Sequence, residues 1–128
     1  MKKSRIFKCH DRNLLIEVLG GDEEGVKIEY CGQEMIEMIP NTVDASKEKH
    51  VPVFECRGYG MKVKVGEVEH PMTKEHHIEW IEVLKGAYTN RKYLKWNGKP
   101  EAEFDISLEP GIILRIYCNL HGLWENHI

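Results

Sequence analysis

Short runs rich in β-branched and aromatic residues recur along the chain: Val51–Cys56, Met61–Val65, His76–Leu84, Tyr88–Trp96, Glu101–Ser107 and Ile112–Cys118. Such side chains fit a pleated, half-buried surface, so each run predicts a strand. Arg57-Gly58-Tyr59-Gly60, Lys85-Gly86, Asn97-Gly98-Lys99-Pro100 and Glu109-Pro110-Gly111 separate them, and their glycines and prolines suit turns. No long helical period interrupts the series. Short strands at regular spacing predict an all-β protein built as a β-sandwich.

The first 39 residues read differently. Three weaker strands are expected around Ser4–Cys9, Leu14–Leu19 and Val26–Tyr30, with a turn at Gly20-Gly21-Asp22. This region is too small to hold a core alone. Ile39-Pro40-Asn41-Thr42 reads as a connector, followed by the charged stretch Asp44–Lys49. The expected division is a small β lobe over residues 1–39 and a sandwich over residues 40–128.

Composition narrows the function classes. A chain of 128 residues with 41% apolar and 30% charged residues is that of an ordinary globular protein. Its formal charge of −3 argues against binding the phosphate backbone of a nucleic acid, which needs a concentrated basic surface. Met1–Arg5 are basic but no apolar signal core follows, and no apolar run approaches the ~20 residues that cross a bilayer. No membrane association and a cytoplasmic location are expected. There the reducing medium opposes disulfides between the cysteines at 9, 31, 56 and 118. Cys56, inside an apolar run, reads as a core residue.

Seven histidines are many for this length, although a histidine taken singly is more often a surface or hydrogen-bonded residue than a ligand. Placement makes the case. His50 precedes a strand, His70 and His76 bracket Pro71–Glu75, and Cys118-Asn119-Leu120-His121 closes the last predicted strand. All five candidates therefore fall at strand ends, where sites are usually built. Alternation puts Ile112, Leu114, Ile116 and Cys118 on one face, facing inward, with Ile113, Arg115 and Tyr117 on the other. The Cys118–His121 offset lets a thiolate and an imidazole reach one ion, but that spacing also suits a buried thiol. His76 and His77 leave a strand on opposite faces, so one of them is a bystander. His10 and His127 lie near the chain ends, where a rigid site is not expected.

Four segments together resemble the superoxide reductases, the family of desulfoferrodoxin and neelaredoxin: Lys47-Glu48-Lys49-His50-Val51-Pro52-Val53, Val68-Glu69-His70-Pro71-Met72, His76 with Ile78-Glu79-Trp80-Ile81-Glu82, and Cys118-Asn119-Leu120-His121-Gly122-Leu123-Trp124. The resemblance runs through residues ~40–128 in order. It implies an immunoglobulin-like β-sandwich holding one mononuclear iron, cycling between Fe2+ and Fe3+, with four equatorial imidazoles and an axial thiolate. Those ligands map to His50, His70, His76, His121 and Cys118. His76 is preferred to His77 because the family's third histidine lies six residues after that of His-Pro-Met. Glu48 maps to a sixth ligand of the ferric state, and Lys49 to the residue that attracts superoxide and helps organise water for proton delivery. The implied reaction is one-electron reduction of superoxide to hydrogen peroxide, with re-reduction by a small donor protein such as rubredoxin. A homodimer is also implied.

Some members of that family carry an FeS4 centre in the N-terminal lobe, formed by a C-x2-C pair and a later Cys-Cys pair. Here the corresponding places read Cys9-His10-Asp11-Arg12 and Tyr30-Cys31. Two thiolates do not complete a tetrahedral four-cysteine site, and Arg12 adds positive charge, so no FeS4 centre is expected. A cupredoxin-like electron-transfer protein, the alternative from another class, fits less well: it needs two histidines rather than four and a methionine absent from Gly122-Leu123-Trp124.

Overall fold

The structure, a computed structural model, describes residues 4–43 and 50–128. Among the described residues every regular element is a strand. The chain divides into two compact units, Met1–Ile39 and Pro40–Ile128.

In the first unit, β1 (Arg5–Lys8) is the centre of a three-stranded sheet, flanked by β2 (Leu15–Val18) and β5 (Ile36–Glu37). Arg5 fixes one edge of it through a two-pronged pair with Glu37, at 2.9 and 3.2 Å. β3 (Glu29–Tyr30) and β4 (Gln33–Glu34) form a separate hairpin. Its two central residues, Cys31 and Gly32, have φ of +49° and +79°. Positive φ at both is the mark of a type I′ turn, the tight turn whose twist suits a hairpin. A small core collects Phe7, Cys9 and Met35, with Leu14, Ile16, Val18, Val26 and Ile28 packed around them. Cys9 is buried there and Cys31 is exposed in the turn; both are free thiols.

The second unit is an immunoglobulin-like β-sandwich. One sheet has the order β10 (Glu101–Phe104), β7 (Gly60–Val65), β6 (Pro52–Arg57). The other has the order β12 (Gly122–His127), β11 (Ile113–Cys118), β8 (Ile78–Lys85), β9 (Tyr88–Tyr93), and all pairings are antiparallel. Met61, Val63, Val65 and Phe104 of the first sheet meet Ile78, Ile81, Val83, Leu114, Ile116 and Cys118 of the second in one continuous core. This contact is what the period-two pattern of the sequence encodes.

Two expectations are corrected. Cys56 is exposed rather than in the core. Its register opposite Met61 does put it on the core-facing side of β6. But β6 is an edge strand, and Phe54 on the same side is also 38% exposed. Face was legible from the run of residues; position at the rim was not. The strand expected from His76 begins instead at Ile78, because Thr73 folds residues 73–76 into a closed turn. Sequence patterning also missed β12, whose mixed Gly122-Leu123-Trp124-Glu125-Asn126-His127 pairs along its length with β11 and is bridged on its other side by Asn41 at Trp124.

The outward face of the four-stranded sheet is itself buried near β11. Glu82, fully buried, is clamped between Arg91 at 2.7 Å and Arg115 at 2.6 Å. The Arg91 guanidinium lies 4.6 Å from the Trp80 ring, and Trp80 stacks on Tyr117 with centroids 6.0 Å apart. A buried carboxylate is tolerable only with such compensation.

Candidate metal centre

His70 and His76 both lie in the connection between β7 and β8, and its sequence explains its shape. Pro71 fixes φ just after His70, and its carbonyl lies 2.7 Å from His70 Nδ1. A carbonyl only accepts, so Nδ1 carries the proton and Nε2 presents a lone pair. Met72 packs against the core and its sulfur accepts from the Ile78 amide at 3.4 Å. Thr73 then closes the turn: its amide donates to the His76 carbonyl at 2.9 Å, and its Oγ1 accepts from the His76 amide at 3.1 Å.

A second hairpin supplies the thiol. Cys118 ends β11 and pairs with Gly122, leaving Asn119-Leu120-His121 as a three-residue loop. Gly122 has φ of +86°, a conformation glycine takes at no steric cost, and such a residue closes three-residue hairpin loops. Opposite Cys118 the pairing slips, so that Cys118 faces Ile78 while Tyr117 faces Trp80. Glu79 is the extra residue of a β-bulge, a device that re-aims side chains beside sites.

These loops bring His50, His70, His76, Cys118 and His121 together, with one ligand-type atom from each lying within 4.8 Å of all the others. Cys118 Sγ is 3.7 Å from His70 Nε2 and 3.9 Å from His121 Nδ1, and His121 Nδ1 is 3.1 Å from His50 Nε2. Neighbouring rings form a closed cycle with centroid separations of 4.6 Å (His50–His70), 4.7 Å (His70–His76), 4.9 Å (His76–His121) and 4.8 Å (His121–His50). The His50–His76 separation of 6.5 Å is close to the diagonal of a square with those edges. Cys118, His50 and His70 are buried, His76 is half-buried and His121 is exposed.

The donor set decides what this arrangement can hold. Metal–nitrogen and metal–sulfur bonds run about 2.0–2.3 Å, so donors around one ion stand roughly 3–4.5 Å apart, and the separations of 3.1, 3.7 and 3.9 Å fall in that range. Four imidazoles and one thiolate exceed the four ligands of a closed structural zinc site and the two-histidine set of a blue-copper centre. They fit a mononuclear iron site.

The other candidates lie elsewhere. The His77 amide donates to Asn119 Oδ1 and its ring faces the Thr73 carbonyl at 3.0 Å. His127 pairs with Glu125 at the end of β12, and His10 is exposed in the first unit. Glu48 and Lys49 lie outside the described residues. Sequence reasoning assigned no structural part to Asn119 or Trp124. Asn119 links the His76 loop to the Cys118 hairpin, and Trp124 lies on His50. The only signal for either was its place within three residues of a candidate ligand.

An all-β sandwich with a four-histidine, one-cysteine group at its strand ends defines a class of mononuclear metalloproteins. The family model for desulfoferrodoxin matches residues 42–127, and the chain belongs to that family. It is 44% identical to a desulfoferrodoxin homologue of Methanothermobacter thermautotrophicus over 94% of this chain and 96% of that one. A superoxide reductase of Pyrococcus horikoshii is 37% identical, over 66% of this chain and 90% of its own. The crystal structure of the superoxide reductase from Treponema pallidum superposes with a TM-score of 0.77 at 29% identity, covering 97% of this chain and 98% of that one.

Proposed function

We propose that the protein is a superoxide reductase whose iron is held by His50, His70, His76, His121 and Cys118. The observation that carries this reading is the square of four imidazoles with the Cys118 sulfur beside it. When bound, iron supplies the redox step: Fe2+, superoxide and two protons give Fe3+ and hydrogen peroxide, and an external one-electron donor restores Fe2+.

The chain's own residues set the conditions. Four neutral imidazoles would add no charge, so among these five ligands only the Cys118 thiolate would be anionic, and its negative charge would favour the higher oxidation state. The Pro71 carbonyl fixes the proton of His70 on Nδ1 and keeps Nε2 turned toward Cys118. Cys118 is wholly buried at the end of β11 whereas His121 is exposed, so Cys118 would hold the ion from the core and substrate would reach it from the solvent-facing histidines. By the family resemblance Lys49, next to His50 in sequence, would supply a positive charge for an anionic substrate, which the net charge of −3 would otherwise repel. By the same resemblance Glu48 would supply a carboxylate ligand to the ferric ion.

In this reading residues 40–128 are the catalytic domain and residues 1–39 a desulforedoxin-like lobe with an incomplete cysteine set. The donor is a small electron-transfer protein of the rubredoxin type, the protein is a homodimer, and it works in the cytoplasm. No helix among the described residues is long and apolar enough to cross a membrane. Iron stoichiometry combined with stopped-flow oxidation of the reduced protein by superoxide tests the proposal. One iron per chain and peroxide without oxygen evolution are expected. Stoichiometric copper, no metal, or oxygen release would overturn it.

A further inference from the structure

We propose that Asn119 is a positioning residue for the metal centre, its carboxamide fixing the His76 loop against the hairpin that carries Cys118 and His121. The inference rests on the reading of those residues as ligands of one ion. His76 sits in a turn closed internally by Thr73, and such closure gives the turn its shape without placing it. Placement needs bonds to another element. Asn119 supplies them on both sides of His76: Oδ1 accepts from the His77 amide at 2.9 Å, and Nδ2 donates to the Glu75 carbonyl at 2.9 Å. Its own amide adds a third bond, to the His77 carbonyl at 3.2 Å. One side chain therefore grips the backbone immediately before and after a candidate ligand, and it stands one residue from Cys118 and two from His121.

The chemistry of the side chain matters. A carboxamide donates and accepts at once; a carboxylate of the same shape only accepts, and a methyl group does neither. Aspartate at this place would keep the bond from the His77 amide and set an anionic oxygen against the Glu75 carbonyl. His76 would then be free to shift relative to Cys118. Partners that orient ligands in this way are worth about 10–100-fold in metal affinity.

The test compares the full-length protein with Asn119→Ala and Asn119→Asp, each loaded with Fe2+. Measured are iron per chain, the rate of Fe2+ loss to an excess of chelator, the absorption and electron paramagnetic resonance spectra of the ferric form, and the melting of the metal-free form. The wild type should hold one iron. Both variants should lose it about 10–100-fold faster, with altered ferric spectra and metal-free melting close to wild type. The aspartate variant, isosteric with the native residue, serves if the alanine variant does not fold. Unchanged loss rates and spectra would overturn the proposal, as would a loss of metal-free stability with spectra unaltered, since that is the sign of a merely structural residue. A wild type that takes up no iron would overturn the reading of the site, and this proposal with it.

Discussion

The indole of Trp124 lies flat on the imidazole of His50, with ring centroids 4.6 Å apart and planes inclined by 15°. Its Nε1–H reaches the other way and donates to the His121 carbonyl at 3.0 Å. One side chain on β12 thus restrains two of the clustered histidines, one by stacking and one through its backbone. Trp124→Phe should keep most of the stacking and lose the hydrogen bond, for a cost of about 1 kcal/mol; Trp124→Ala should lose both. Fe2+ release to a chelator should rise in that order, by roughly 10-fold or more for alanine. Fluorescence is a second check: with Trp124 against His50, most quenching on metal uptake should vanish in Trp124→Phe although Trp80 and Trp96 remain.

Lys49 and Glu48 precede His50 directly in sequence. Lys49→Ala should slow the second-order reaction with superoxide by several-fold, on the order of 10-fold at low ionic strength, and flatten its dependence on salt. An unchanged rate at low salt in stopped-flow traces would remove Lys49 from substrate capture. Glu48→Ala should leave reduction intact and change the ferric spectrum. The same oxidised spectrum with and without Glu48 would count against its ligation.

Glu82 holds two arginines in a buried layer of the sandwich. Glu82→Ala should take from Arg115, itself buried, the carboxylate that it grips and cost about 3–5 kcal/mol, read as a lower denaturant midpoint. Replacing Glu82, Arg91 and Arg115 together by apolar residues of similar volume should cost far less, because the carboxylate and both guanidinium groups leave together. Equal losses for the single and triple changes would show that packing, not charge, holds this layer.

Gly60 begins β7, one residue before the pair of Met61 with Phe104 of β10. An added Cβ would stand 2.6 Å from the Phe104 carbonyl oxygen, so Gly60→Ala should destabilise by about 1–3 kcal/mol through a forced shift of backbone. Gly86 provides the comparison. Nothing lies within 4 Å of its Cβ position, and only its φ of +54° opposes a side chain, so Gly86→Ala should cost about 1 kcal/mol. Reversal of that order in equilibrium unfolding would refute the packing argument.

The inward alternation of Leu114, Ile116 and Cys118 and the turns at Gly86 and Gly111 could be read in advance, because period and turn chemistry are local. Cys56 shows where that reading stops. Its run and its face gave a core residue, yet an edge strand leaves the far end of that face in solvent. β12 escaped notice for a related reason: a strand at the rim of its sheet, met on its outer side by a single bridge from Asn41, tolerates polar residues, so it carries little hydrophobic signal.

By itself, the sequence determined the strand-forming runs, the placing of His50, His70, His76, Cys118 and His121 at their ends, and the shortage of cysteines in the first 39 residues. These follow from residue types and short spacings. The family resemblance grouped the five residues and preferred His76 to His77; the tertiary structure alone set the spacing of the five donors, turned His77 to the Thr73 carbonyl, and put Asn119 and Trp124 against the loops that carry them. The contact between His121 and His50 alone joins residues 71 apart, and no local pattern encodes such relations. They exist only once the two sheets have packed and the bulge at Glu79 has set the pairing beside Cys118.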